Sequence, residues 1–241
     1  MEKFDFNSHI TKVVKPKVEL LYPEKEKFYA YFTKLLNSIV IAQSNGKRSL
    51  EISEEFGNQL MQIYRYINRD QELENEKTNF GRHWNLDAGL LLMGNFGTGK
   101  TLILKGIYEL MKDQAKKGKL IGIQGRYITA RQISTCYQFT PKEMPTLIGK
   151  PENDIFIDEL GDEPLSVSNY GTSESPVYAV LKQKLDDWDN ITRKPRLFTT
   201  TNLSKKEITE RYHERVWSRM VSSTNILILG GGNDSKDMRK A

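Results

Sequence analysis

The 241-residue sequence predicts an α/β fold: a parallel sheet covered by helices on both faces, preceded by a small helical region. Three observations carry that expectation. From about residue 80 onward, apolar strand candidates alternate with helical stretches. The first of these strands, Gly89-Leu90-Leu91-Leu92-Met93, runs straight into the glycine-rich turn Gly94-Asn95-Phe96-Gly97-Thr98-Gly99-Lys100-Thr101. Another, Asp154-Ile155-Phe156-Ile157-Asp158-Glu159, ends in two adjacent acids.

The glycine-rich turn matches G-x-x-x-x-G-K-[ST], the spacing of a phosphate-binding P-loop. A buried strand delivers the chain into a turn whose N–H groups converge on phosphate oxygens. The helix that follows adds the positive end of its dipole. Leu102, Ile103, Leu104, Ile107, Leu110 and Met111 recur at helical spacing after the turn, as that context requires. The candidate nucleotide-binding set is therefore Gly94, Asn95, Phe96, Gly97, Thr98, Gly99, Lys100, Thr101 and Leu102. Lys100 would reach the β- and γ-phosphates, and the Thr101 hydroxyl would ligate Mg²⁺.

The strands expected are Gly89 to Met93, a segment within Ile121 to Thr129, Asp154 to Asp158, Arg196 to Thr201 and Asn225 to Leu229. Glu163 to Thr172, rich in Gly, Ser, Asn and Pro, reads as a surface loop beside the phosphate end of the sheet. Helices follow from about Ser175 to Asn190, from Lys205 to about Tyr212 and from Glu214 to Val221. Upstream, a helix from Pro23 or Glu24 to about Gln43 carries Phe28, Tyr31, Phe32, Leu35, Leu36 and Ile39 on one stripe, and Ser44-Asn45-Gly46 stops it. A second helix begins at a capping Ser53 with Glu54 and Glu55 in its first turn. Its Phe56, Leu60, Ile63, Tyr64 and Ile67 share a face that reads as core rather than a base-stacking platform. Residues 1 to about 20 show no sustained period and read as an arm. The partition is an N-terminal arm and helical region over 1–79, open to partner binding, and a second domain over 80–241.

Composition narrows the class further. Hydrophobic residues at 38% and charged residues at 28% describe a globular chain, with no run long enough for a membrane span and no basic-then-apolar leader. The cytoplasm is the expected compartment. A single cysteine, Cys136, excludes an internal disulfide and reads as a packed helix residue. The excess of 36 Lys+Arg over 31 Asp+Glu, +5, is compatible with nucleic acid without arguing for it. Lys116, Lys117, Lys119, Lys182 and Lys184 are the candidate phosphate contacts, against the reading that they are solvated helix faces.

Among P-loop ATPases that use a catalytic glutamate, the first acid at the strand end holds Mg²⁺ through water and the second orients and deprotonates the attacking water. Asp158 and Glu159 occupy those positions, and side-chain alternation along a strand lets them differ in role. Leu197-Phe198-Thr199-Thr200-Thr201-Asn202 is a strand ending in polar residues. Asn202 reads as a sensor of the γ-phosphate and attacking water, against the reading that it simply begins the next helix, and Ser204 as the cap of that helix.

Taken together, these residues resemble the AAA+ ATPases of the DnaC-type helicase loaders and IstB-type transposition helper proteins. The matching stretches are Gly89 to Thr101, Ile157-Asp158-Glu159-Leu160-Gly161, Thr200-Thr201-Asn202-Leu203-Ser204 and Glu214-Arg215-Val216-Trp217-Ser218-Arg219-Met220, covering about residues 80 to 230. The resemblance implies a three-layer P-loop core whose five parallel strands run in the order 5-1-4-3-2, with residues 80–241 as an AAA+ ATPase domain without a separate lid. It also implies ATP with Mg²⁺ and hydrolysis. The partners it implies are DNA, single- or double-stranded, a replicative helicase or a transposase, and further copies of the chain in the ATP state. It makes Arg219, with Arg215 as its backup four residues earlier on one helix face, the arginine that acts on a neighbouring subunit's ATP. Arg215 pairing with Glu214 or Glu210 is the competing role. Two other classes stay open: a nucleotide-dependent scaffold with little turnover, and a small-molecule kinase using Arg126 and Arg131 on its acceptor.

Overall fold

The computed structural model describes residues 24–116, 125–169, 172–190 and 195–230. The expected arm and residues 121–124 lie outside them. Two helices open the described chain, α1 (Lys25–Gln43) and α2 (Glu54–Ile67). Ser53 caps α2 by accepting from the Phe56 N–H at 3.2 Å, and Asn45 and Gly46 turn the chain after α1 with φ of +51° and +79°. Five parallel strands then form the main sheet: β1 (Gly89–Gly94), β2 (Arg126–Thr129), β3 (Ile155–Leu160), β6 (Leu197–Thr201) and β7 (Thr224–Leu229). They lie in the order β2-β3-β6-β1-β7. Numbered among themselves along the chain, they read 5-1-4-3-2, as expected.

Alternation along the strands builds a core on each face. Leu90, Leu92, Phe156, Phe198, Leu227 and Leu229 point to one side. There they meet α1, α2 and α3 (Lys100–Lys116). Leu91, Met93, Ile155, Ile157, Leu197 and Ile226 point to the other. These pack against α4 (Ala130–Phe139), α6 (Pro176–Asn190) and α7 (Lys205–Ser223). The short α5 (Met144–Ile148) completes the helices. Burial on both faces is why β1, the start of β3 and most of β7 are apolar runs, each fully buried Leu, Ile or Phe contributing roughly 1.5–3 kcal/mol.

On α1, Phe28, Phe32 and Leu36 are buried in the same core as Ile103, Leu104 and Ile107 of α3. Tyr31, expected on that stripe, is instead exposed, because it sits one residue off the face that meets α3. Phe56 and Tyr64 of α2 are core residues, as read from their spacing. The edge strand β7 is not left bare. Asn79 brackets Ile228, its Nδ2 donating to the carbonyl at 2.6 Å and its Oδ1 accepting from the N–H at 2.9 Å, while Asn85 and Asn225 hold the other end.

The stretch read as a loop from Glu163 to Thr172 differs from expectation. It holds an antiparallel pair, β4 (Val167–Asn169) and β5 (Thr172–Glu174), anchored by buried Val167 and by the Tyr137 hydroxyl of α4 donating to Glu174 at 3.0 Å. The region read as two helices from Lys205 is a single run broken at His213, which has φ +71° and ψ 148°. The expected break between Tyr212 and Glu214 is therefore present. Cys136 is half-buried on α4, as a packed helix residue should be.

Candidate functional site

β1 ends at Gly94, where a Cβ would lie 2.1 Å from the Leu229 carbonyl oxygen and φ is +142°. Only glycine fits there. The chain turns through Asn95 and Phe96, both exposed, and re-enters the core at Thr98, whose hydroxyl donates to the Asn95 carbonyl at 3.0 Å. Lys100 folds its ammonium into this loop, donating to the carbonyls of Gly94 at 2.9 Å and Asn95 at 2.6 Å. The P-loop lysine is thus buried at the centre of its own turn. The first N–H groups of α3 lack partners within the helix and, at the head of the turn, form the anion-binding end of the motif. Thr101 stands at that end and Leu102 follows, half-buried.

The Thr101 hydroxyl reaches across to β3, donating to Asp158 Oδ1 at 3.0 Å. That carboxylate is buried at 2% exposure. The Thr200 hydroxyl of β6 donates to the same oxygen at 2.5 Å, and the Tyr127 hydroxyl of β2 donates to Oδ2 at 2.5 Å. Burial and the neighbouring carboxylate push the Tyr127 phenol well above its ordinary range, so it stays a donor. A buried carboxylate thus has a donor from the P-loop helix and from each of the two strands beside β3.

The second acid is handled differently. Between Ile157 and Leu160 the pairing of β3 with β6 slips, and Glu159 takes φ +57°, a left-handed conformation that non-glycine residues seldom adopt. Its N–H donates to the Thr200 hydroxyl at 2.9 Å and to Asp158 Oδ1 at 3.1 Å, while its side chain is exposed. The irregularity separates the pair: Asp158 is turned inward, Glu159 outward. Backbone strain of this kind concentrates at functional sites.

Asn202 lies just beyond β6 and is exposed. Ser204 caps α7 with Glu207 in a reciprocal capping box, the role expected for it. Arg215 is exposed, beyond the break in α7, and Arg219, one turn further, pairs with Asp186 of α6. Neither residue meets the P-loop of its own chain in any contact described above. Arg131 of α4 pairs with Asp162 at 3.1 Å, just after β3.

Thr200 and Tyr127 were not singled out by sequence. Alternation in Thr199-Thr200-Thr201 offered a signal for Thr200, since its neighbours must face the other way; their hydroxyls donate to the Ile157 and Leu160 carbonyls. Tyr127 offered none, because its reach depends on the β2–β3 register, Thr129 beside Asp158. One expectation is corrected. Lys184 is not exposed but buried, donating to the carbonyls of Lys150, Pro151 and Asn153 at 2.8, 3.2 and 3.3 Å, so it has no charge to offer DNA. Burial also lowers its ammonium below the usual lysine range. Lys182 is exposed, and Lys117 and Lys119 lie outside the described residues.

Thr101 and Asp158, joined by a hydrogen bond, carry oxygens of the kind that a hard divalent cation such as Mg²⁺ takes. No family model matches the chain, and no curated protein sequence matches it. Among solved structures it is similar to the DnaC helicase loader, at 18% identity and a TM-score of 0.45 over 75% of this chain and 93% of that one. It is also similar to AMPPCP-bound DnaA from Aquifex aeolicus, at 13% and 0.45 over 77% of this chain and 49% of that one. A third is NtrX from Brucella abortus in complex with ADP, at 14% and 0.36 over 85% of this chain and 43% of that one.

Proposed function

We propose that the chain is an ATP-hydrolysing AAA+ switch that assembles with copies of itself on DNA and loads or activates a partner enzyme, a replicative helicase or a transposase. The observation that carries this reading is the junction of Thr101, Asp158 and Thr200, with Glu159 turned outward beside it. A P-loop alone serves many chemistries. A P-loop threonine joined to a buried aspartate, with a free glutamate next in sequence, is suited to activating water against a bound γ-phosphate.

In this reading the turn from Gly94 to Leu102 holds the phosphates, and the Lys100 ammonium exchanges loop carbonyls for β- and γ-phosphate oxygens. Thr101 and Asp158 hold Mg²⁺, which neutralises phosphate charge when bound. Glu159 takes the proton of the attacking water and Asn202 orients that water. Arg219, with Arg215 beside it, is offered to the ATP of a neighbouring subunit, where an arginine finger is worth roughly 10³ to 10⁵ in rate. The exposed position of Arg215 and the shared face of the two residues support an intersubunit role. Residues 1–79 are proposed to grip the partner.

The test is the ATP hydrolysis rate with and without single- and double-stranded DNA, beside sizing in ATP and in ADP. The expected result is Mg²⁺-dependent turnover stimulated by DNA, a larger species in ATP, and DNA affinity that falls steeply with salt. A monomer in both nucleotides with no hydrolysis would overturn the reading.

A further inference from the structure

The loop leaving β3 is fastened to α7 by one buried carboxylate, Glu163, which is 4% exposed. Its Oε2 accepts from the Gly161 N–H at 2.9 Å. Its Oε1 accepts from Arg211 Nε at 3.1 Å and from the Tyr212 hydroxyl, and Arg211 also donates to the Glu163 carbonyl. Each end of this cluster borders something the chemistry uses. Gly161 is two residues after Glu159, and Tyr212 immediately precedes His213, where α7 breaks with φ +71°. Such a conformation in a histidine persists only where the surroundings over-determine it.

Beyond the break lie Arg215 and Arg219. The far segment is held by Trp217 against the Phe80 ring, 5.9 Å between centroids, and by the Arg219–Asp186 pair. The near side of the break is held by Glu163 through both Arg211 and Tyr212. A carboxylate that only filled the loop would not need donors from two consecutive residues at the end of a helical run.

We infer that Glu163 is a positioning residue: it sets the direction in which α7 leaves the break, and so aims Arg215 and Arg219 from the loop that carries Glu159. The inference rests on the trans-acting arginines proposed above. A subunit's readiness to act on its neighbour is thereby tied to the loop bordering its own nucleotide. Removing the charge weakens the pairing of Glu163 with the half-buried Arg211 and loosens the aim while the P-loop stays intact.

The experiment is subunit mixing with the full chain. Glu163→Gln and Tyr212→Phe are each expected to bind a fluorescent ATP analogue as wild type does and to lose roughly 10- to 100-fold in hydrolysis, part of the roughly 10³ to 10⁵ of an arginine finger. Arg219→Ala mixed with Lys100→Ala is the control, in which one supplies a nucleotide site and the other an arginine. Glu163→Gln mixed with Lys100→Ala should regain hydrolysis, and mixed with Arg219→Ala it should not. A structural defect confined to its own nucleotide site would give the reverse pattern. That reverse pattern, failure with both partners, or wild-type hydrolysis by both variants overturns the inference while the control still works. Failure of the control overturns the trans-acting reading itself. Should Glu163→Gln not fold, Tyr212→Phe, which removes one hydroxyl, passes through the same mixtures with the same outcomes.

Discussion

Asp158 is held by neighbours whose contributions can be separated one hydroxyl at a time. Thr200→Val removes one donor to Asp158 Oδ1 and one of the two acceptors of the Glu159 N–H, leaving Thr101 and Tyr127 on the carboxylate and Asp158 as acceptor of that N–H. A hydrogen bond to a charged group contributes about 1.5–3 kcal/mol, and we predict a loss of that size in chemical denaturation. Tyr127→Phe removes one donor and leaves Thr101 and Thr200 on the other oxygen. It takes from Oδ2 the donor described above, so it should lower stability by a similar amount and raise the Mg²⁺ concentration for half-maximal hydrolysis, read from a metal titration; an unchanged requirement would show that Oδ2 is held by other means. Lys100, Thr101, Asp158 and Glu159 were legible in sequence because their spacing encodes them. Tyr127 and Glu163 were not, and Thr200 only through the alternation of its threonine neighbours, because their partners lie on other strands and helices, and register between strands is written nowhere along the chain. Glu163 was read only as the start of a polar loop, although it is among the most buried acids described.

At the scale of elements, the contact between α1 and α3 depends on a missing side chain. A Cβ on Gly106 would lie 2.4 Å from Leu36 Cδ2 and 3.1 Å from the Phe32 ring. Gly106→Val should therefore cost about 1–3 kcal/mol by overpacking, read as a lower denaturation midpoint. Gly106→Ala should cost less, since alanine recovers about 1 kcal/mol of helix propensity. A neutral valine would mean that α1 gives way without cost. The five main strands and the helices α1, α2, α3, α6 and α7 were legible because period and burial agree over many residues, and the break in α7 was legible from the same pattern. The pair β4–β5 was not. Strands of three residues carry no period, and what holds them is α4, through contacts that propensity does not express.

For the whole molecule, two buried phenols, Tyr66 and Tyr212, and the half-buried Tyr127 make stability depend on alkaline pH. Burial raises Tyr66, Tyr127 and Tyr212 above the ordinary value of 10.0, so the folded state keeps protons that the unfolded chain releases. Their contribution is complete below about pH 10 and is lost as pH climbs toward the raised folded values. Tyrosinate absorbance in an alkaline titration should show a group of tyrosines that ionises only as the chain unfolds; ionisation of all 11 in one early step with the fold intact would contradict this. The sheet order and the two-faced core make the phosphate end of the sheet a meeting point of β1, β3 and β6, and the proposed function turns on whether that meeting point hydrolyses ATP. Glu159→Gln tests it most directly, because the amide keeps the size of the carboxylate but cannot take the water's proton. Steady-state hydrolysis and retained nucleotide should be measured together on the same preparation. The account predicts Mg²⁺-dependent ATP binding as tight as wild type with turnover lowered by roughly 10² to 10⁴, the range of general-base catalysis. Turnover at the wild-type rate in Glu159→Gln would contradict it.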